Sequence, residues 1–211
     1  PKTVQWTDHQ EPRLGSFSGW ETLASSAWET WQPQEQKISS GWTVQPSGFV
    51  FEGQGRSSLF GNKAFDDFLL TFRLQAREVA RCGVMFRVSD SREEWASVEF
   101  VPARQAVELH RQLIHRPSVP RLKIKGPTLA QQAPFLIPMT GESLDCRLVV
   151  CGEYLECSVN GEVVISHMSY ARKAGGLGLF ASDGHAEFSE LRICALEPPW
   201  QEMPSAHTVS P

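Results

Sequence analysis

Apolar residues in this chain recur at every second position within short segments, a period that suits half-buried β-strands and does not suit amphipathic helices. The clearest segment is 67–74, where Phe68, Leu70, Phe72 and Leu74 share one face and Asp67, Thr71 and Arg73 the other. Segments of strand length follow at 82–88, 95–101 and 106–111. Farther on, 144–151 and 154–159 flank Gly152-Glu153, and Asn160-Gly161 separates Val159 from a strand over 162–166. Both links are hairpin signals, because Gly and Asn accept the positive φ that a two-residue turn between twisted strands demands. These strands therefore form a meander. Segments 176–181 and 186–194 supply two more, joined through a turn at Ser182-Asp-Gly184, and 41–44 and 49–52 bracket the turn Gln45-Pro-Ser-Gly48. About ten strands are too many for one open sheet, so an all-β sandwich of two antiparallel sheets is expected.

With 211 residues, 41% of them hydrophobic and 21% charged, the chain suits one domain with a substantial core. No apolar run approaches the roughly 18 residues of a spanning helix, and a net charge of −4 without a basic cluster offers no footprint for phosphate backbones. Neither a membrane nor a nucleic acid is an expected partner. The five cysteines, Cys82, Cys146, Cys151, Cys157 and Cys194, form no CxxC pair and no zinc spacing, which predicts buried thiols. The first residues lack the pattern of a signal peptide and neither Asn62 nor Asn160 opens a glycosylation site, which favours the cytoplasm. Nothing in the sequence indicates an oligomeric state.

Residues 1–13 read as an N-terminal extension, 14–196 as a single β-sandwich domain, and 197–211, with Pro198, Pro199, Pro204 and Pro211, as a C-terminal tail. Inside the domain, 112–143 is a long Pro-rich excursion around Arg121-Leu-Lys-Ile-Lys125, where one edge strand is expected because Pro cannot sit in a central ladder.

The order of elements resembles a known family. The run Gly41-Trp-Thr-Val-Gln-Pro-Ser-Gly-Phe-Val, then Ser57-Ser-Leu-Phe, the strand 65–74, and Cys82-Gly-Val-Met-Phe-Arg look like the first half of the 3-keto-disaccharide hydrolase-like domain. Leu148-Val-Val-Cys-Gly-Glu-Tyr-Leu-Glu, Ser158-Val-Asn-Gly-Glu-Val-Val, Gly175-Gly-Leu-Gly-Leu-Phe-Ala and Ala186-Glu-Phe-Ser-Glu-Leu-Arg-Ile resemble its second half. The resemblance covers roughly 14–196 and implies a concanavalin A-like jelly-roll β-sandwich that acts on or binds carbohydrate. The Asn-Gly hairpin and the Gly-Leu-Gly-Leu-Phe strand also recur in the C-terminal sandwich of fructan-cleaving hydrolases and in sugar-binding modules. Two departures stand out. Ala80-Arg-Cys-Gly83 replaces the family's usual Gly-Asn-Ser-Gly, and the Glu-x-Asp-x-x-Glu strand of laminarinase-type glucanases is absent, which disfavours ordinary glucanase chemistry.

Pairing Val101 with Ala106 across the link Pro102-Ala-Arg-Gln105 sets Glu99 opposite Glu108 and Ser97 opposite His110. Core parity then puts Trp95, Ser97, Glu99, Glu108 and His110 on one face, and Arg87 by its parity joins them. Two facing carboxylates repel, which raises one pKa and sets an acid beside a base. Glu99, Glu108 and His110 are the candidate catalytic groups; Arg87, Trp95 and Ser97 are the candidate ligand contacts, with Trp95 as a platform for a sugar ring. On a concave face this is a saccharide site, serving either binding alone or acid/base hydrolysis of a 3-keto-glycoside. No metal set and no cofactor is expected. The competing reading is a solvated sheet face with an exposed Arg87–Glu99 pair, in a structural or protein-interaction sandwich. His167, Asp183 and His185 near turns, Arg121, Lys123 and Lys125 on the excursion, and Trp28 and Trp31 are better explained as turn, edge and packing residues. Gly53, Gly55, Gly175 and Gly176 are turn glycines, not a phosphate cradle.

Overall fold

A computed structural model describes residues 20–23, 28–31, 41–112, 127–138, 140–168 and 174–196. The strands are β1 Glu21–Thr22, β2 Trp28–Trp31, β3 Gly41–Gln45, β4 Gly48–Phe65, β5 Phe68–Arg77, β6 Arg81–Val88, β7 Trp95–Val101, β8 Ala106–Gln112, β9 Thr128–Pro134, β10 Ser143–Cys151, β11 Tyr154–Val159, β12 Glu162–Met168 and β13 Gly175–Ala195. All pairings are antiparallel. The two expected hairpins form: Cys151 pairs with Tyr154 across Gly152 (φ 56), and Val159 with Glu162 across Asn160 (φ 51) and Gly161 (φ 81).

Thirteen strands form among the described residues where about ten are expected: β1 and β2 are additional, whereas β4 and β13 are long, bent strands where shorter ones are expected. Ser182 pairs with Arg56 and Arg81, whereas His185 pairs with Glu52 and Arg77, so the chain changes sheets at 182–184 without reversing. Asp183 (φ 53) and Gly184 (φ 117) supply the bend. Beside it β4 bends through Gly53 and Gly55, and the Gly55 N–H donates to Asp183 Oδ1 at 2.7 Å. The Ala80 N–H donates to the carbonyls of Ser182 and Asp183 and ties the β5–β6 connection to the same point. One sheet thus runs from β2 through the second half of β4 and the first half of β13 to β6, β7, β8 and β9; the other runs from β3 through the remaining halves to β5, β10, β11 and β12. This is a jelly-roll-like β-sandwich. Its core holds the inward residues of both sheets, among them Phe51, Phe68, Leu70, Leu74, Phe86, Phe100, Val107, Leu109, Val159, Ile165 and Phe188.

The edge strand of the Pro-rich excursion is β9, which pairs with β8 and ends on Pro134; the stretch 121–125, where that strand was expected, lies outside the described residues. So do 1–13 and 197–211. The Trp28 ring packs on Phe49 at 4.9 Å. All five cysteines are free thiols and Cys151 alone of them is half-buried. Burial pushes the Cys157 thiol up to about 12 and the Cys82 and Cys146 thiols upward as well, so these three are inert packing groups.

The bend generates a contrast between two glycines. A Cβ on Gly184 would sit 2.3 Å from the Glu78 carbonyl oxygen, whereas one on Gly161 meets open space. Gly161→Ala should cost only the left-handed backbone penalty, about 1–2 kcal/mol, and Gly184→Ala at least about 3 kcal/mol because backbone must move as well. Urea unfolding of both variants measures the difference.

Candidate functional site

The β7–β8 hairpin has the register that the link length implies: Val101 pairs with Ala106, Glu99 with Glu108 and Ser97 with His110. Val98, Phe100, Val107 and Leu109 enter the core, so Trp95, Ser97, Glu99, Glu108 and His110 occupy the outer face of the sheet. Gly83 of β6 lies between Phe180 and Glu99 in the same row. A Cβ there would meet the Val98 carbonyl oxygen at 2.0 Å and the Phe180 ring at 3.0 Å, so only glycine admits this close approach.

This face is not a solvated one. Glu99 and Glu108 are both 0% exposed and His110 is 8% exposed. Glu99 accepts from Ser97 Oγ at 2.8 Å and from Arg81 at 2.8 Å. Glu108 accepts from Arg104 at 2.8 Å, and its other oxygen lies 2.8 Å from His110 Nε2. A carboxylate can only accept, so the hydrogen sits on Nε2, and in the neutral ring Nδ1 keeps a lone pair; no partner meets that atom among the described residues. Arg81 also lies 3.9 Å from Glu108, which makes it a bridge between the two acids. Like charges placed opposite one another are thus compensated by guanidiniums. Burial works against the Glu108 charge, but hydrogen bonds from His110 and Arg104, with their charges, outweigh it and hold this carboxyl below the ordinary carboxylate range.

Arg87, expected in this group, is elsewhere. Met85 to Val88 on β6 spans three steps against two from Gly178 to Gly176 on β13, a β-bulge in which Arg87 takes φ 53. The bulge shifts parity by one, so Val88 joins Met85, Trp95, Phe60 and Phe180 in a small apolar cluster on the outer face. The Arg87 guanidinium turns instead to the Gly152 carbonyl, with Asp67 and Asp66 nearby. Gly175 serves this bulge rather than a turn, since a Cβ there would strike the Arg87 backbone at 2.5 Å. The exposed Arg87–Glu99 pair of the solvated-face reading does not form.

Trp95 is 7% exposed and Arg56 lies over its ring, 5.5 Å from the centroid. Sequence reasoning missed Arg56, Arg81 and Arg104. Arg81 shares parity with Gly83 and Met85, and it stands within the Ala80-Arg-Cys-Gly83 departure, so a signal for it was present. His167 is opposite Leu155 on β12, while Asp183 and His185 sit at the β13 bend. A shallow groove of about 540 Å³ on the outer face of the other sheet is lined by Arg73, Asp145, Arg147, Glu156 and Arg192. There Arg73 pairs with Asp145 and Glu190 in an exposed surface ladder.

Glu99, Glu108 and His110 offer ligand atoms within 4.8 Å of one another. Both carboxylates already accept from Arg81 and Arg104, so a cation would have to compete with guanidiniums for them. The donor set fits a metal poorly.

This sandwich belongs to the class seen in carbohydrate-binding modules, galectin-like proteins and glucanases. Three solved structures share it: carbohydrate-binding module CBM66 from Bacillus subtilis (12% identity, TM-score 0.63, covering 85% of this chain and 98% of that one), a Bacillus subtilis protein of unknown function with a galectin-like fold (10%, 0.63, 88% and 99%), and Bacillus licheniformis β-glucanase (8%, 0.58, 85% and 98%). Residues 31–195 match the family described as glycosyl hydrolases family 32, C-terminal, and the chain belongs to that family. The narrower 3-keto-disaccharide hydrolase-like family, which the motifs resemble, is not the family matched. No curated protein matches the chain by sequence.

Two outcomes follow from the ion network. Arg81→Met leaves the Glu99 charge buried without its cation and should cost about 3 kcal/mol; adding Glu99→Gln should recover most of that, as urea unfolding of the double-mutant set measures. Because folding lowers the Glu108 pKa, the native state binds fewer protons than the unfolded chain in the carboxylate range. Its contribution is whole above the unfolded value of about 4.3 and is lost as pH falls through the folded value. Glu108→Gln should therefore flatten the acid limb of the pH–stability curve.

Proposed function

We propose that the chain is a carbohydrate-binding domain that holds a saccharide over the outer face of β6–β8 and does not cleave it. One observation carries this reading: each buried carboxylate is already paired with a guanidinium, Glu99 with Arg81 and Glu108 with Arg104. A glycosidase acid needs a carboxyl raised towards neutrality, and Glu108 is held the other way. Glu99 and Glu108 are positioning residues in this reading. They lock Arg81 and Arg104, whose side chains are more exposed than the acids and donate to sugar hydroxyls, while Ser97 donates to Glu99 and fixes it. The Trp95 ring is available to a sugar only where Arg56 leaves it uncovered. Membership of a family named for glycosyl hydrolases, and a fold shared with a module named for carbohydrate binding, support the ligand class.

A second reading, an enzyme acting on 3-keto-glycosides, is favoured by the Glu108–His110 contact. The acid orients the ring through Nε2 and leaves Nδ1 buried without a partner among the described residues; in this reading substrate displaces the side chains over the ring, and Nδ1 then takes the C2 proton made acidic by the ketone before the glycosidic bond opens by elimination and water adds.

Incubation with plain di- and oligosaccharides and with 3-keto-glucosides, followed for product release and ligand-induced thermal shift, separates the readings. A shift without turnover is expected, weakened about tenfold by Arg81→Gln or Arg104→Gln. Release of a 3-keto sugar that His110→Gln abolishes would transfer the function to the second reading, and silence in both assays would overturn both in favour of a protein-interaction sandwich.

A further inference from the structure

Arg56 stands apart from the other guanidiniums at this face. Arg81 and Arg104 are each held by a carboxylate, whereas Arg56 has no hydrogen bond and no ion pair among the described residues. Its half-buried side chain crosses from β4, beside the bend, and its guanidinium carbon lies 4.9 Å from the Phe180 ring centroid and 5.5 Å from that of Trp95. Contact with two rings fixes the position of the group and leaves its N–H rim without an acceptor, the state from which a guanidinium forks onto a planar anion.

Charge counts in the same direction. Three guanidiniums, those of Arg56, Arg81 and Arg104, gather about two carboxylates, Glu99 and Glu108. Burial and the neighbouring Arg81 both work against the Arg56 charge, and Glu99 offsets this only in part, so the group is held below its ordinary pKa. An anion on the open edge would give hydrogen-bonded partners to a cation that no carboxylate among the described residues of the face holds directly.

We infer that Arg56 determines specificity and that the saccharide taken by this face carries an anionic group, a carboxylate or a sulfate ester, received on the free edge of the Arg56 guanidinium. This rests on the saccharide-binding reading and adds the chemical class of ligand to it. The competing role for Arg56 is a long arm that covers Trp95 and Phe180 and keeps its head in water.

Calorimetric titration with matched sugars tests it: lactose, 3′-sulfolactose and 3′-sialyllactose as one set, galactobiose and digalacturonic acid as another. At least one acidic member should bind about tenfold or more tightly than its neutral parent at low salt, and the gap should narrow at high salt. Arg56→Gln should bring the ratio to within about twofold, and Arg56→Lys, which keeps the charge but not the planar fork, should leave an intermediate ratio. Thermal unfolding of each variant shows whether it is folded; should Arg56→Gln fail to fold, Arg56→Lys and the salt dependence of the wild type decide. Equal binding of neutral and acidic members, or a ratio that Arg56→Gln leaves intact, would overturn this inference while the saccharide reading stands. If no sugar in either set binds the folded wild type, that reading falls together with it.

Discussion

The hydrogen bond from the Gly55 N–H to Asp183 holds the bends of β4 and β13 side by side, and the rest of the molecule depends on that registration. On one side of the bend the two strands build the sheet that continues into β5 and β10; on the other they build the sheet that continues into β6, β7 and β8. The same point carries the β5–β6 connection through Ala80. It also delivers Arg56 to the outer face, because Arg56 pairs with Ser182 and Ser182 with Arg81 in one cross-strand row. The candidate site is thus built from one end of the bend outward.

At that site the costly step is the burial of two acids on adjacent strands. Their repulsion is met by short contacts to Arg81 and Arg104, with Arg81 within 3.9 Å of Glu108 as well. Buried ion pairs seldom raise net stability above that of an apolar replacement, yet removal of one partner is severe. The cluster therefore contributes specificity of geometry more than stability. Guanidiniums with fixed positions are what it presents, while the unpartnered Nδ1 of His110 is buried.

Much of this was legible in the sequence because period-two strands and short links leave few choices. The four-residue link 102–105 set the facing of Glu99 and Glu108, and parity put them opposite the core. Three features were not legible, each for a physical reason. Asp183-Gly184 carries turn chemistry, and the same positive φ values serve a bend as well as a reversal; only pairing on both sides distinguishes them. The parity of Arg87 failed because one extra residue in a bulge reverses every side chain beyond it. Arg56 lies far from β7 and β8 in the chain, so its place over Trp95 needed the whole topology. The 3-keto-disaccharide hydrolase resemblance reached the right sandwich through its hairpin and Gly-Leu-Gly-Leu-Phe motifs, which are shared well beyond one family.

The place of β13 in both sheets bears on how the chain acquires its structure. This strand comes after every other in sequence, yet it fills the middle of each sheet, between β4 on one edge and β5 or β6 on the other. During synthesis β4, β5 and β6 leave the ribosome with that central slot vacant, and their unpaired edges wait for residues 175–195. Such a topology has a high contact order, which implies slow folding and a single late, cooperative closure. A nascent chain stalled before Gly175 would expose the edges that chaperones bind and that aggregation exploits.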